Sequence, residues 1–321
     1  KMKYEQYFFL KKLNQEILNK KINHLFDIKT IFFNKLSQKK VVNFTKQIKI
    51  NEKFLNYKKT RCVKKIVSSK KIKISKIKND KIKKIVILAK KLNLNFYFKH
   101  LIFQGSVASS DFVENWSDVD IFGVIKREVI KDEILMLQLT KKLKIFYKEI
   151  LNFSKFQHHG IMIYTEADMS NYLSGYLPPE ALKINQNFFK DENIFFYINR
   201  NKKNLSKKIL NNQRKFLKEA VKIGEYNHHV INNIPKLPFK SGDRSLYQLF
   251  YHMGTMINIP ILFLDSKNRS SHKKSSFKKF YKFIKNKFVK NFIKKHEKIR
   301  TNWHRYFINN NVISRELFNE L

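Results

Sequence analysis

The chain has 321 residues and a net charge of +42, yet 43% of its residues are hydrophobic and 14% are aromatic. This apolar share is typical of a folded core and excludes a disordered polyelectrolyte. A single cysteine, Cys62, excludes an internal disulfide framework and a cysteine-rich zinc site, and it favours a reducing compartment. Two explanations of the charge stay open: attraction of nucleic acid or other polyanions, and a codon bias that inflates lysine.

The hydropathy pattern predicts no membrane partner and a cytoplasmic location. The longest apolar segment, Met253 to Leu264, contains Asn258 and Pro260 and is far shorter than the roughly 20 residues of a membrane-spanning helix. The opening twenty residues have only Phe8 to Leu10 as an apolar run, which does not look like a secretion signal.

The predicted elements begin late in the chain, because the first ninety or so residues are lysine-rich and only Ile77–Leu92 has the spacing of an amphipathic helix. Runs of branched and aromatic residues then predict strands at Asn95–Gln104, Asp118–Ile125, Gly160–Glu166 and Asn193–Ile198. A long helical pattern, Arg127–Phe153, separates the second strand from the third.

After Asn204 no strand signal remains, and helical patterns cover Leu205–Tyr226, Ser245–Ile259 and Lys273–Ile299. We therefore predict a basic, largely helical region over residues 1–92, a mixed core over 93–200 and a helical domain over 201–321. The aromatic residues of the last helical pattern are expected to pack into a core rather than to stack on bases.

The segment FQGSVASSDFVENWSDVDIFGVI, residues 103–125, carries the chemistry. In a strand, Asp118 and Asp120 point to the same side, while Val119 and Ile121 face a core. Two carboxylates roughly 7 Å apart repel each other, and a divalent cation relieves the repulsion. Mg²⁺ is the expected ion, since it binds carboxylates together with phosphate oxygens.

Phosphate has a predicted place just upstream of the carboxylates. Gly105 lets the backbone approach a ligand, and Ser106 adds a hydroxyl where a helical turn is expected to begin. The plain alternative is that Ser117 and Asp118 cap a turn and that Asp120 is a solvated strand residue.

This combination resembles the DNA polymerase β-type nucleotidyltransferase superfamily, whose signature is Gly-Ser after a strand and then Asp-x-Asp in the next strand. Gly105-Ser106 and Asp118-Val119-Asp120 match it in order and spacing. The resemblance implies an α+β fold, with a small mixed β-sheet nucleotidyltransferase core flanked by helices and followed by a C-terminal helical domain. It also implies transfer of a nucleoside monophosphate from an NTP, with ATP expected, to an acceptor hydroxyl.

One departure from the family concerns a third carboxylate, which members usually supply from a later strand. The body of the third predicted strand has no acid, so the nearest candidates for activating the acceptor are His158, His159, Glu166 and Asp168. A neutral imidazole could take the proton of the acceptor. Each histidine could equally do no more than end a strand.

Two lysines in the C-terminal part, Lys273 and Lys274, stand at a predicted helix start where they could reach phosphate or remain solvated. The motif does not name the acceptor, for which we favour a small molecule or protein over RNA. The alternative function is an RNA-binding or regulatory protein on a nucleotidyltransferase scaffold that has lost activity. Nucleic acid therefore stays an open partner.

Overall fold

The structure is a computed structural model and describes most of the chain from residue 62 onward. The described residues are 62–109, 111–114, 116–154, 157, 161–170, 172, 179–199, 244–266, 273–308 and 312–313, with isolated helical positions between 211 and 222. They form two compact units. The first contains residues 62–109, 119–153 and 161–199, and the second contains 111–118, 154, 157 and the described residues from 211 onward.

Six strands form one mixed sheet in the first unit: β1 (Cys62–Lys71), β2 (Phe98–Gln104), β3 (Asp120–Ile125), β4 (Ile161–Thr165), β5 (Gln186–Asn187) and β6 (Glu192–Asn199). Their order across the sheet is β4-β3-β2-β5-β1-β6. β3 is parallel to β4 and antiparallel to β2, while β1 is parallel to β5 and antiparallel to β6. The described chain is therefore mixed α/β with a mixed sheet, which confirms the predicted fold class at this coarse level.

Helices and aromatic packing complete the first unit. Its helices are α1 (Asp80–Lys91), α2 (Leu94–Tyr97), α3 (Gly105–Ala108), α4 (Arg127–Lys131), α5 (Glu133–Leu151) and α6 (Glu166–Ser170). On one face of the sheet Phe188 packs against Phe103, with ring centroids 4.3 Å apart, and against Phe146 of α5 at 6.3 Å. The side chain of Ile102 points to the opposite face from its neighbour Phe103. Ile102 lies in a second buried cluster with Phe122 and Tyr172.

The strands near the motif lie close to their predicted positions. β2 begins at Phe98 because the three residues before it belong to the helical turn α2, and β3 begins at Asp120 rather than at Asp118. The single helix predicted over Arg127–Phe153 is divided at Asp132, whose Oδ1 accepts a hydrogen bond from Leu135 N at 3.0 Å and caps α5.

β1 does not correspond to any predicted strand. It precedes residue 93, where the predicted core begins, yet it pairs with β5 and β6 in the sheet. Its Val67 and Ser69 are buried, while Ile66, Ser68 and Lys70 beside them are exposed. The strand therefore alternates in burial from Ile66 to Lys70, as a strand with one covered face should.

Glu192, at the start of β6, is the centre of a buried polar group. Its Oε1 lies 2.8 Å from His100 Nδ1 and accepts a hydrogen bond from Asn187 Nδ2 at 2.6 Å, while Lys190 Nζ lies 3.2 Å from Oε2. Burial acts to raise the pKa of Glu192, but the interactions with His100, Lys190 and Asn187 outweigh it and lower the pKa below its ordinary value.

Because its folded-state pKa is lowered, Glu192 stabilises the fold above the ordinary carboxyl pKa, and that stabilisation is lost as pH falls through the folded value. We expect Glu192→Gln to lower the free energy of unfolding by about 1.5–3 kcal/mol near pH 7 and by clearly less near pH 4. Urea titrations at the two pH values measure this difference. An equal cost at both would show that the charge of Glu192 is not what stabilises the unit.

From residue 244 onward, the described part of the second unit contains the helices α7 (Arg244–Ser266), α8 (Lys273–Phe283) and α9 (Lys287–Thr301). A buried cluster joins them and contains Met253, Ile257, Leu264, Phe277, Phe280, Ile293, Ile299 and Trp303, together with Trp116 from residues 111–118. After a 3₁₀ turn, β7 (Phe307–Ile308) pairs antiparallel with β8 (Val312–Ile313). The prediction that no strand follows Asn204 is therefore wrong. Strands of two residues are too short to give a periodic pattern in the sequence.

The aromatic residues of α8 and α9 follow the predicted core packing only in part. Phe277 and Phe280 are buried, as expected, but Phe288 is 76% exposed, and Phe283 and Phe292 are also exposed. The predicted helix Leu205–Tyr226 lies largely outside the described residues. Within the described ranges, no helix is both long enough and apolar enough to cross a membrane.

Candidate active site

The Gly-Ser pair stands where β2 ends and the turn α3 begins. β2 and β3 are antiparallel, and the last residue of β2, Gln104, pairs directly with Asp120. Gly105 follows with a φ of +66°, a left-handed conformation that favours glycine. A methyl group added at Gly105 would overlap Asp120 Oδ2 and lie 3.2 Å from its Cγ. The absence of a side chain at Gly105 is therefore what leaves room for the Asp120 carboxylate.

Ser106 occupies the second position of α3, and its side chain is buried. Its carbonyl oxygen accepts a hydrogen bond from Ser109 Oγ at 3.3 Å, which closes the turn. The prediction that a helical turn starts at this point is confirmed. The proposed contact of Ser106 with phosphate stays a prediction.

The two aspartates lie in a stretch of alternating burial. Val119 and Ile121 are fully buried, whereas Asp118 and Asp120 are half-buried. The apolar residues therefore face a core, as predicted. Asp120 is the first residue of β3 in the first unit, and Asp118 closes the segment that belongs to the second unit.

The segment that leads to Asp118 is fixed within the second unit. Ser117 is buried, and its Oγ accepts a hydrogen bond from Val113 N at 2.9 Å, so Ser117 closes a turn as the plain alternative supposed. Arg300 Nη2 donates to the carbonyl oxygen of Asp111 at 2.9 Å and lies 3.0 Å from its Oδ1. Trp116 packs edge-on against Trp303 at 4.8 Å.

Sequence reasoning did not predict the two C-terminal residues, Arg300 and Trp303, that hold the segment leading to Asp118. Arg300 and Trp303 follow the motif by almost two hundred residues, and neither belongs to a recognisable pattern. The signal that could have identified them is their type, since a buried arginine and a buried tryptophan each need a specific partner.

Glu166 and Asp168 lie at the wrong end of the sheet for the role predicted for them. In the parallel pair of β3 and β4, Ile121 is opposite Ile161 and Ile125 is opposite Thr165. Glu166 therefore adjoins the end of β3 that is about 16 Å from Asp120 at the rise of a strand.

The two acids also have other partners at that end of the sheet. Glu166 forms an ion pair with Lys99 and accepts from Arg127 N at 3.0 Å, and Asp168 Oδ2 accepts from Thr165 N at 2.7 Å. The suggestion that either acid activates an acceptor beside Asp120 is incompatible with this placement.

The remaining predicted site residues are two histidines before β4 and two lysines at the start of α8. His158 and His159 lie outside the described residues. Lys273 and Lys274 form the first turn of α8 in the second unit, which confirms the predicted helix start, but their side chains are outside the description.

A metal at the aspartate pair would have few ligands from the described part of the chain, in which no three His, Cys, Asp or Glu side chains form a metal-binding group. Mg²⁺ commonly takes one or two carboxylates and completes its coordination with water and substrate phosphate. A pair of aspartates therefore has the chemistry that this ion requires.

Comparison of the chain with protein families, with curated proteins and with solved structures finds no match in any of the three. The interpretation of the site therefore rests on its own residues.

Gly105→Ala is the substitution that tests the contact between the turn and the carboxylate. The added methyl group requires both a strained φ and a displacement of Asp120, so we expect a loss of stability of at least about 1 kcal/mol. Any activity that depends on Asp120 should fall more than tenfold. Gly254→Ala is the matched control for stability, because nothing lies within 4 Å of a methyl group at Gly254. If the two variants behaved alike, the proposed role of Gly105 would be wrong.

Proposed function

We propose that this protein is an Mg²⁺-dependent nucleotidyltransferase of the DNA polymerase β type. In this proposal it transfers a nucleoside monophosphate from an NTP, expected to be ATP, to an acceptor hydroxyl and releases pyrophosphate. The observation that carries the proposal is the close approach of Gly105 and Asp120, which lie at adjoining ends of the antiparallel strands β2 and β3. It supports a shared role for the Gly-Ser turn and the Asp-x-Asp strand, because the carboxylate needs the glycine.

Each motif residue has a role in this chemistry. Asp118 and Asp120 would hold the metal, and the turn at Gly105 and Ser106 would bind triphosphate oxygens through backbone N–H groups. Bound Mg²⁺ supplies charge neutralisation and orients the phosphates for in-line displacement. The carboxylates contribute to the rate by fixing that charge where negative charge develops.

The acceptor hydroxyl needs a base close to Asp120. No acid at the far end of β4 can assist it beside Asp120, which leaves His158 and His159 as candidate bases from the original four. A small molecule or a protein hydroxyl is favoured over an RNA 3′ end, since the lysines run from end to end of the chain and the sequence contains no RNA-binding signature.

A second candidate function is an RNA-binding or regulatory protein on a scaffold that no longer transfers nucleotide. The exposed Phe288 and Phe292 on a lysine-rich helix favour it. The retention of Asp118 and Asp120 counts against it, because two carboxylates so close in the chain repel each other without a bound cation.

A direct experiment incubates the purified protein and Mg²⁺ with each α-labelled NTP in turn, against separate pools of total RNA, cell protein and small molecules. We expect label from one NTP to enter one pool and to be lost when EDTA removes the metal. Label in the protein fraction that survives denaturation would identify a protein acceptor. A failure of every NTP to label any pool would favour the second candidate.

A further inference from the structure

The start of α9 exposes aromatic rings among lysines. Phe288 is 76% exposed and Phe292 is 38% exposed, and their rings stack with centroids 6.3 Å apart and planes 21° apart. Lys285, Lys287 and Lys295 are exposed beside them in the chain. We call these five residues the Phe–Lys surface.

The exposure of the rings reflects where the core ends. Ile293, His296 and Ile299 are buried in the same helix, so its C-terminal half is covered. Phe288 and Phe292 continue the apolar side of the helix at spacings of three and four residues, but they precede the covered part. The first two turns of α9 therefore leave Phe288 largely exposed and Phe292 partly exposed, with the Phe292 ring 4.4 Å from that of His296. Neither phenylalanine belongs to the buried cluster.

The charge around these rings is almost all positive. Between Lys273 and Thr301 the only acidic residue is Glu297, and its Oε2 accepts a hydrogen bond from Tyr281 Oη at 2.7 Å. A partner on this surface must therefore be negatively charged and must also offer a flat or apolar group to the rings.

We propose that the Phe–Lys surface binds single-stranded nucleic acid, with bases stacked on Phe288 and Phe292 and phosphates beside the lysines. Aromatic side chains in a positively charged surface are the usual means of binding single strands without sequence preference. A duplex keeps its bases paired and stacked, so it would reach the lysines but not the rings.

The other occupants fit less well. An interfacial membrane helix buries an apolar face along its length, but here the C-terminal half of that face already belongs to the core. Residues 1–61, which lie outside the described ranges, are themselves rich in lysine, so like charge opposes their docking on the lysines.

The proposal is tested by fluorescence anisotropy with a labelled single-stranded oligoribonucleotide, without NTP, at about 0.15 M salt. We expect Phe288→Ala with Phe292→Ala to weaken binding by about tenfold or more, with an unchanged slope of log affinity against log salt. Lys287→Ala should instead reduce that slope by about 0.7, because one phosphate contact is lost. Phe96→Ala is the matched control, since Phe96 is an exposed phenylalanine of the first unit.

Truncation of the exposed Phe288 ring should leave the unfolding temperature unchanged, so the single variant Phe288→Ala provides a second measurement if the double variant unfolds. The proposal is overturned if the phenylalanine variants bind RNA as tightly as the unaltered protein. Binding to vesicles of anionic lipid that requires Phe288, without binding to the oligonucleotide, would overturn it in favour of a membrane partner. Since no NTP is present, the result does not depend on whether the protein transfers nucleotide.

Discussion

Asp120→Asn is expected to reduce nucleotide transfer at least about a hundredfold while leaving the free energy of unfolding unchanged or slightly higher. The substitution keeps the shape of the side chain, so the close approach of Gly105 is retained. It removes a proposed metal ligand, and the charge stabilisation that a bound ion supplies is worth several kcal/mol, with each 1.36 kcal/mol a factor of ten in rate. Without metal it also removes one of the two negative charges of the Asp-x-Asp segment.

The measurements are single-turnover transfer rates and thermal unfolding with and without Mg²⁺. Asp118→Asn should behave in the same way, because both carboxylates are proposed to share the ion. Asp80→Asn is the matched control, since Asp80 is exposed at the start of α1 and should leave transfer unchanged. Near-normal turnover in either motif variant would remove the metal assignment.

Arg300→Ala is expected to give the largest loss of stability, about 3–5 kcal/mol, because it leaves the buried Asp111 carboxylate without its cation. The side chains of Arg300 and Asp111 are only 4% and 10% exposed, so solvent cannot replace the lost charge. For a unit of this size the expected fall in unfolding temperature is of the order of 10 °C.

A double-mutant cycle separates the pair from its surroundings. Arg300→Met together with Asp111→Ala should cost clearly less than the sum of the two single variants, since no unpaired charge remains. Calorimetry of the four proteins provides the comparison. Additive costs would show that the two side chains do not stabilise each other.

The strands that carry the motif could be predicted because apolar and branched residues dominate them. β3 and β4 are buried on both sides of the sheet, and their sequences are accordingly continuous apolar runs. β1 could not be predicted, because the buried Val67 and Ser69 alternate with exposed residues over a short stretch of a lysine-rich region. β5 has only two residues, so its place between β2 and β1 is set by tertiary pairing alone.

Gly105 and Asp120, which the motif spacing selects, lie close together in the structure, whereas no spacing signal determined the place of the candidate acids. The Gly-Ser turn and Asp120 lie at the same end of the strands, because β2 and β3 are antiparallel neighbours. Glu166 follows β4, which runs parallel to β3, so it lies at the end of β3 opposite to Asp120. Strand direction, which the residues of β4 do not reveal by themselves, decided this outcome.

The aromatic residues of α8 and α9 show a limit of helical periodicity. Phe280 and Phe288 occupy comparable apolar positions in the sequence, yet Phe280 is 3% exposed and Phe288 is 76% exposed. Periodicity identifies the side of a helix that is apolar, but the length that is covered depends on where its neighbours end.

The most direct test of nucleotidyl transfer follows the two ends of the triphosphate at once. The accepted NTP is supplied with label either at the α-phosphate or at the γ-phosphate, with Mg²⁺ and the acceptor pool that becomes labelled. The proposal predicts that the α-label enters the acceptor, that the γ-label appears in pyrophosphate, and that Asp120→Asn abolishes both. Entry of the γ-label into the acceptor, with the α-label left in nucleoside diphosphate, would show phosphoryl transfer and contradict the proposal.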